Sequence, residues 1–483
     1  MSTFNYLSTE RLHDTSDQYE QYDKRTGFQK DYHSIISSSA FRRLQDKTQV
    51  FPLDKSDYVR TRLTHSLEVA SIGRSLIQSS CKYLSKKEYR TDTEQVFSDN
   101  ENNLSDIIQC AGLLHDIGNP PFGHFGEDII GKWFETNLDF IEEKTNVKLT
   151  NQMRLDLIHF EGNAQALRIV LRLQNVNQYS ATNLTSAVIN SIIKYPIPST
   201  QMKKDNNISY YHKFGYFLSE ECLIEKLVNN TGYNQKRSPL AYILEAADDI
   251  AYRIADLDDA FKKGLITYEQ LFYELKNNKY QDFFNSNMDS HLKKAIKEFP
   301  EPEDSFSLSQ KSDFLKSWLN GIQSKLVAAA TYTFTYKFDH ILEGNYKNDL
   351  FEDSFSHCLI RFLKDIAVKY IFDSPELLKL EIAASEILQF LLDKFCYAII
   401  DYNPLNDSTP TNGLNRKLCN LISDNYKEVC KSEFKWLDEQ SFDAETKNAY
   451  QLYFKFLLVT DFISGMTDSY AKSLYQELKG FYL

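Results

Sequence analysis

Glycine and proline are sparse in this chain, 16 and 11 of 483 residues, and those are the residues that most readily break a helix. Apolar side chains recur at three- and four-residue spacings through 63–85, 104–117, 238–263, 355–400 and 446–480, the period of an amphipathic helix. Alternating strand patterns are few. The spacing therefore predicts an all-α fold, predominantly helical with minor hairpin elements. The segment best suited to a loop or short hairpin is 192–218, which is proline-broken, polar in its middle and aromatic at its end. Such a segment can close over a site. Residues 86–104 and 403–413 read as exposed linkers, and no internal repeat is visible.

A chain this long can bury a large core and hold more than one domain. Two regions are expected: 1–275 as the core that carries the chemistry, and 276–483 as a helical region packed on it. No apolar run reaches the length needed to cross a bilayer, and the N-terminus lacks the basic segment and apolar core of a signal peptide, so a cytoplasmic protein is expected. The seven cysteines are scattered and form no CxxC pair, which argues against a disulfide framework and a zinc-thiolate site. A net charge of −12 makes a general nucleic-acid surface a poor prospect, so a polyanionic ligand would need a few focused cations. There is no GxxxxGK[ST] or GxGxxG loop to cradle phosphate. Nor is a Ser or Cys nucleophile with a partnered base evident.

The chemistry gathers in three segments. In 104–118, LSDIIQCAGLLHDIG, Ser105 is placed to cap a helix, and Gly118 stands where a helix end takes a left-handed residue. His115 and Asp116 close its last turn. Such a doublet is common and by itself usually carries no function. In 60–76, His65 falls on an apolar stripe with Val69, Ile72 and Leu76, where alone it would be a core histidine. In 238–264, Ser238 and Pro239 open a helix as N-cap and first residue. Asp248 then lies on its apolar side beside Leu244 and Ala251, and a buried carboxylate demands a cation or strong hydrogen bonds. Together His65, His115, Asp116 and Asp248 offer two imidazoles and two carboxylates from three helices. That set suits one divalent ion, Mn²⁺, Mg²⁺, Fe²⁺ or Co²⁺, with positions left for water and phosphate oxygens. In the loop that follows, NPPFGHFGED, prolines and glycines turn the chain back. His124 and Glu127, three apart at the next helix start, can lie adjacent near that ion, although a capping Glu beside a surface His would look the same.

The blocks FRRLQDKTQVFP (41–52), VRTRLTHSLEV (59–69), GLLHDIGNPPFGHFGED (112–128), FEGNAQALR (160–168) and EAADDIAYRIADLDDA (245–260) stand in order along the chain. With KYP (194–196), KFGYF (213–217) and MTDSYAKSLYQEL (466–478) they make an array that resembles the HD superfamily, and within it the deoxyguanosine triphosphate triphosphohydrolases. The resemblance implies an HD-domain fold, His65, His115, Asp116 and Asp248 as metal ligands, and His124 with Glu127 as the catalytic dyad. Asp248 is preferred to Asp249 by the motif, and because Asp248, Tyr252 and Asp256 share one helix stripe; Asp249 is expected to point elsewhere as a capping or salt-bridge residue. Gln49 and Asp256 resemble the pair that reads the sugar 3′-hydroxyl, and Tyr252 the aromatic that excludes a 2′-hydroxyl. Arg60, Arg62, Lys194, Tyr195 and Lys213 are candidates to grip the triphosphate, with Asn163 in support. The resemblance also implies dGTP as favoured substrate, a divalent metal (Mn²⁺ or Mg²⁺ foremost) and a homo-oligomer, commonly a hexamer.

Two other readings compete. Other HD proteins cleave different nucleotides, but they would share the metal ligands without the His124–Glu127 loop, Gln49 or the Lys194 and Lys213 blocks. A catalytically silent nucleotide or nucleic-acid sensor has no need of a complete ligand set and dyad, and the acidic balance gives a nucleic-acid effector no support. No residue visible in the sequence reads the base.

Overall fold

The computed structural model describes residues 4–13, 23–53, 56, 58–174, 183–203, 211–280, 290–405 and 412–481. Its fold is all-α, as the spacing predicts. Among the described residues there is no strand, only the isolated bridges Arg11–Thr185, Thr48–Thr61 and Pro198–Tyr216. Among its described residues the segment 192–218 carries a short turn at Ser199–Gln201, a single bridge, and one backbone bond from the Lys203 N–H to the Tyr211 carbonyl (2.8 Å). Pro196 and Pro198 lack the N–H groups a ladder needs. Residues 204–210 of that segment lie outside the described residues.

The helices that place the site are α1 (Gly27–Ser37), α2 (Arg62–Ser85), α3 (Asp92–Asp99), α4 (Glu101–Leu114), α5 (Gly123–Thr145), α6 (Gly162–Arg168), α7 (Pro239–Lys262), α8 (Leu308–Tyr336), α9 (Pro375–Ile399), α10 (Ala444–Ser464) and α11 (Asp468–Lys479). The expected linker at 86–104 is instead mostly helix. Thr91 and Glu94 form a reciprocal capping box at the start of α3, and α4 begins at Glu101. The polar run was a helix start signal, not a solvated connection. Ser105, expected as a cap, is buried one turn inside α4. At the other expected linker, 406–411 lie outside the described residues, and Asn412 caps the helix Gly413–Leu421.

Apolar burial falls into two clusters. One gathers α1, α2, α4, α7 and α8 around side chains such as Leu76, Ile108, Ile250 and Leu326. The other gathers α5, α9 and α10 around Phe134, Leu391 and Leu457. Helices α2 and α4 approach closely because Gly112 faces the Ala70 backbone, where a Cβ would collide. The chain crosses between clusters through the loop 115–122: Ile117 belongs to the first and Phe122 to the second.

That loop is held from three sides. Gly118 does not adopt the left-handed backbone expected of it; the positive φ values fall at Phe122 (65°) and Gly123 (62°). Gly118 is needed for another reason, since a Cβ there would overlap the Gly162 carbonyl oxygen and the Ala166 amide nitrogen of α6. Helix α6 is itself fixed by Arg168, fully buried, which donates to Asp461 of α10 at 2.8 Å, Glu433 at 2.8 Å and Glu220 at 3.0 Å. At the loop's far end the Phe122 N–H donates to Asp468 Oδ1 (2.9 Å), while Thr48 donates to Asp468 Oδ2 from N (3.0 Å) and Oγ1 (2.7 Å). Lys47 Nζ donates to the carbonyls of Asn119 (2.5 Å) and Ser464 (2.6 Å). Burial pushes this lysine's pKa down to about 7, against the pull of Asp468.

Asp468 is therefore a single carboxylate shared by the N-terminal segment, the loop and α11. Asp468→Ala would leave the buried Phe122 N–H and the half-buried Thr48 donors unpaired, at roughly 1–3 kcal/mol for the former and less for the latter. Urea unfolding of the variant should show a loss of about 3 kcal/mol; a loss within experimental error would contradict this view of the loop.

Candidate active site

Where α2, α4 and α7 meet, the four expected ligands converge. His65 Nε2 lies 3.0 Å from Asp248 Oδ1, and His115 Nε2 lies 3.6 Å from both Asp116 Oδ2 and Asp248 Oδ1. The two imidazoles sit edge to face with centroids 5.3 Å apart. Ligand atoms of His65, His115 and Asp116 fall within 4.8 Å of one another, with Asp248 completing the group through its contacts to both histidines. The expected inward placement of His65 holds: it is fully buried.

Protonation makes this donor set fit a cation. His115 donates from Nδ1 to the Gly112 carbonyl at 2.8 Å, so in its neutral form the Nε2 lone pair faces two carboxylates. That nitrogen has no hydrogen-bond partner. A bare lone pair against two anionic groups is unfavourable, so this position calls for a positive centre, which either a proton on Nε2 or a divalent ion in its place supplies. Asp116 also accepts from Arg62 Nη1 (2.7 Å) and Asn119 Nδ2 (2.5 Å). Burial works against its charge, but Arg62 and His115 hold the carboxyl down to about 2. Asp248 is likewise held well below the usual carboxylate range, burial being outweighed by His115 and His65. Both carboxylates are thus anionic at neutral pH, as a hard divalent ion requires.

Next to this cluster, His124 and Glu127 form the expected pair. His124 Nδ1 lies 3.0 Å from Glu127 Oε2, and the Gly162 N–H donates to Oε1 at 3.1 Å. Glu127 is buried, whereas the His124 side chain is 69 % exposed, so its outer nitrogen is open to a ligand. Glu127 raises the His124 pKa by charge and hydrogen bond. Burial pushes Glu127 up, but His124 and Lys213 hold it below its ordinary value. Lys213 Nζ sits 2.6 Å from Glu161 Oε2 and 3.8 Å from Glu127 Oε2. Asn163 Nδ2 donates to Glu161 Oε1 at 2.6 Å.

A cavity of about 280 Å³ opens here. Gln49, Arg62, Asn163, Lys194, Tyr195, Lys213 and Tyr252 share its wall with His115, Asp116, His124 and Asp248. Lys194 Nζ is 3.4 Å from Glu245, which Arg237 also grips at 2.7 Å. Asp256 is buried one helical turn beyond Tyr252 and is not part of that wall; neither of its oxygens has a partner. Burial pushes its carboxyl up to about 8.

Arg60 stands apart. Its guanidinium is committed to Glu68 (2.9 Å), Asp258 (2.8 Å) and Asp259 (2.5 Å), and it faces a separate cavity of about 380 Å³ on another face of α7. Asp249 also departs from expectation. It lines the main cavity beside Asp248, 3.8 Å from Arg253 Nη2, so the salt-bridge role holds only loosely and the outward direction does not. Sequence reading passed over Asn119, Glu161, Glu245 and Arg253. Each lies inside a block already singled out or beside one, but nothing in its own spacing marks it; only the fold shows which partner it serves.

An HD domain family matches residues 62–175, a span that contains His65, His115, Asp116, His124 and Glu127 but not Asp248. A deoxyguanosinetriphosphate triphosphohydrolase-like protein of Listeria innocua is 38% identical over 462 residues, covering 95% of each chain. The deoxyguanosinetriphosphate triphosphohydrolase of Serratia proteamaculans is 32% identical over 495 residues, again with 95% of each chain covered. A probable deoxyguanosinetriphosphate triphosphohydrolase of Pseudomonas aeruginosa is 32% identical over 476 residues, 92% of this chain and 91% of its own.

Two outcomes are expected here. His115→Ala or Asp116→Ala should abolish divalent-metal retention, while His124→Ala should keep it, as read by elemental analysis of the purified variants after loading. In Glu127→Gln the imidazole of His124 loses the anion that favours its charged form. Its titration midpoint, followed by NMR, should fall relative to wild type; an unmoved midpoint would break the proposed coupling.

Proposed function

This chain belongs to the family of HD-domain deoxyguanosinetriphosphate triphosphohydrolases, and on that footing we propose that it hydrolyses deoxynucleoside triphosphates, dGTP foremost, to deoxynucleoside and tripolyphosphate. In the cell such a reaction would lower dNTP pools. One observation carries the reading: a two-histidine, two-carboxylate cluster, buried at His65 and Asp116 and half-open at Asp248, lies beside an exposed histidine whose partner glutamate is buried, at the wall of a cavity that also presents Lys194 and Lys213.

His65, His115, Asp116 and Asp248 would hold the divalent ion, Mn²⁺ or Mg²⁺ foremost. When bound, the ion supplies Lewis acidity and a more acidic water. Arg62 and Asn119 keep Asp116 ionised and oriented. Glu127, anchored by the Gly162 amide, fixes His124 so that its outer nitrogen faces the cavity. There His124 exchanges a proton with the attacking water or with the departing 5′-oxygen. Water adds to the α-phosphorus, the bond to O5′ breaks, and the leaving oxygen takes up a proton. Lys194 and Lys213, each already facing a carboxylate, are placed to offset the triphosphate charge, with Tyr195 and Asn163 beside them.

The sugar contact rests on an unpaired acceptor: Gln49 Oε1 is buried without a donor at the cavity wall, which suits a ligand hydroxyl. Asp256, set behind that wall with its carboxyl pushed up by burial, is left out of this contact. Tyr252 on the same stripe would pack on the deoxyribose and leave no space for a 2′-hydroxyl. Arg60, neutralised elsewhere, is left out of the triphosphate grip.

Purified protein with Mn²⁺ or Mg²⁺ should convert dGTP to deoxyguanosine and tripolyphosphate and leave GTP intact, as resolved by ion-exchange chromatography. Release of monophosphate with pyrophosphate would refute O5′ as the leaving group and with it the triphosphohydrolase assignment. Tyr252→Ala should let GTP turn over at a measurable fraction of the dGTP rate, with dGTP turnover reduced by about tenfold or more.

A further inference from the structure

Four Lys or Arg side chains line the main cavity among the described residues: Arg62, Lys194, Lys213 and Arg253. Three have close anionic partners. Arg62 holds Asp116 at 2.7 Å, Lys213 holds Glu161 at 2.6 Å, and Lys194 faces Glu245 at 3.4 Å. The fourth, Arg253, has no acidic group within hydrogen-bond length among the described residues: Asp249 lies 3.8 Å away, Asp256 feels its charge without a hydrogen bond, and the Arg253 Nε is buried with no acceptor. Its side chain is 14 % exposed. A guanidinium this enclosed, with so little of its donor capacity used, is poised for an anionic ligand that brings its own acceptors.

Position on α7 narrows the ligand. Arg253 follows Tyr252 directly and lies over its ring, 5.5 Å from the centroid, and it is one turn from Asp249, which neighbours Asp248. On a helix this puts it beside the expected metal-proximal and sugar-proximal groups, not at the outer rim. An arginine fork matches the paired oxygens of a phosphate better than it matches a hydroxyl or an apolar face. We infer that Arg253 is a substrate-binding residue that grips the polyphosphate of the nucleotide, and that Asp249 is the loose counter-ion it exchanges for that anion. The inference deepens the triphosphohydrolase reading and rests on it for the identity of the nucleotide, but the capture of a polyphosphate can be measured without turnover.

The exchange has a consequence for neighbouring substitutions. Removing the charge of Asp249 takes away the competitor for Arg253, so polyphosphate should bind more tightly in Asp249→Asn. Replacing Arg253 by Lys keeps the charge but loses the fork, and should fall between wild type and Arg253→Ala.

The probe is inorganic tripolyphosphate, titrated calorimetrically into the full-length Mn²⁺-loaded wild type, Arg253→Ala, Arg253→Lys and Asp249→Asn, with deoxyguanosine binding as the control. Metal content and a thermal melt of each variant verify that the site and fold are intact. Expected is a loss of tripolyphosphate affinity of about tenfold or more in Arg253→Ala, a smaller loss in Arg253→Lys, a gain in Asp249→Asn, and unchanged deoxyguanosine binding. In turnover the Arg253 variants should raise the dNTP KM with kcat nearly kept. Unchanged tripolyphosphate affinity in both Arg253 variants overturns the inference even if the wild type is an active triphosphohydrolase. Loss of deoxyguanosine binding in step with tripolyphosphate overturns it too, since the residue would then act on the whole pocket. A wild type that binds tripolyphosphate through Arg253 yet hydrolyses no dNTP would instead defeat the triphosphohydrolase reading and leave the polyphosphate contact standing.

Discussion

The buried charge of Asp116 sets the terms for the rest of this molecule. A carboxylate at the junction of three helices is tolerated only with strong partners, and Arg62 and Asn119 provide them at 2.7 and 2.5 Å. Arg62 opens α2, which also brings His65; Asn119 belongs to the loop that leads to His124. Satisfying one anion therefore fixes the start of α2, the end of α4 and the path of the loop at once. The same arrangement leaves His115 with a lone pair directed at two carboxylates, an incomplete electrostatic group that a divalent ion completes.

A second layer of buried polar contacts holds that junction in place. Glu127 takes its orientation from the Gly162 amide, and α6, which begins at Gly162, takes its own from the Arg168 ion cluster on α10. Lys47 and Asp468 bind the same loop from the opposite ends of the chain. Few of these contacts involve residues that would touch a ligand. Their effect is to keep the His124–Glu127 pair and the imidazole–carboxylate cluster within a narrow set of distances, as proton transfer and phosphate binding there would demand.

Much of the fold and of the site's outline was legible in the sequence, and the reasons are local. The three-and-four spacing of apolar residues is a direct trace of helical burial, and His65 and Asp248 were visible as polar groups on apolar faces, whereas the His115–Asp116 doublet stood out only beside them and within the motif array. The His124–Glu127 pair was readable because three residues on one helix bring side chains together. What escaped depends on contacts between distant segments. Gly118 was expected to serve backbone conformation, when it serves a close approach to α6 that no local pattern encodes. Arg60 and Arg62 look equivalent in the sequence, two residues apart; only the helix start separates one toward Asp116 and the other toward Glu68, Asp258 and Asp259. Arg253 was invisible for the same reason, and Asp249 was expected to point away from the site, since their weak pairing is a matter of distance. The polar run at 86–104 misled because a capping box and a linker share a composition.

The bond between Asp468 and Thr48 spans 420 positions of sequence. A ribosome releases the chain from its N-terminal end, so for most of synthesis Thr48 and the loop through Phe122 exist without the carboxylate that closes them. The first cluster of helices can collapse while the later ones are still being made, but the reactive pocket reaches its final shape only after α11 has emerged. A nascent chain stalled before that helix would carry every expected metal ligand without the carboxylate that ties Thr48 to the end of the loop at Phe122.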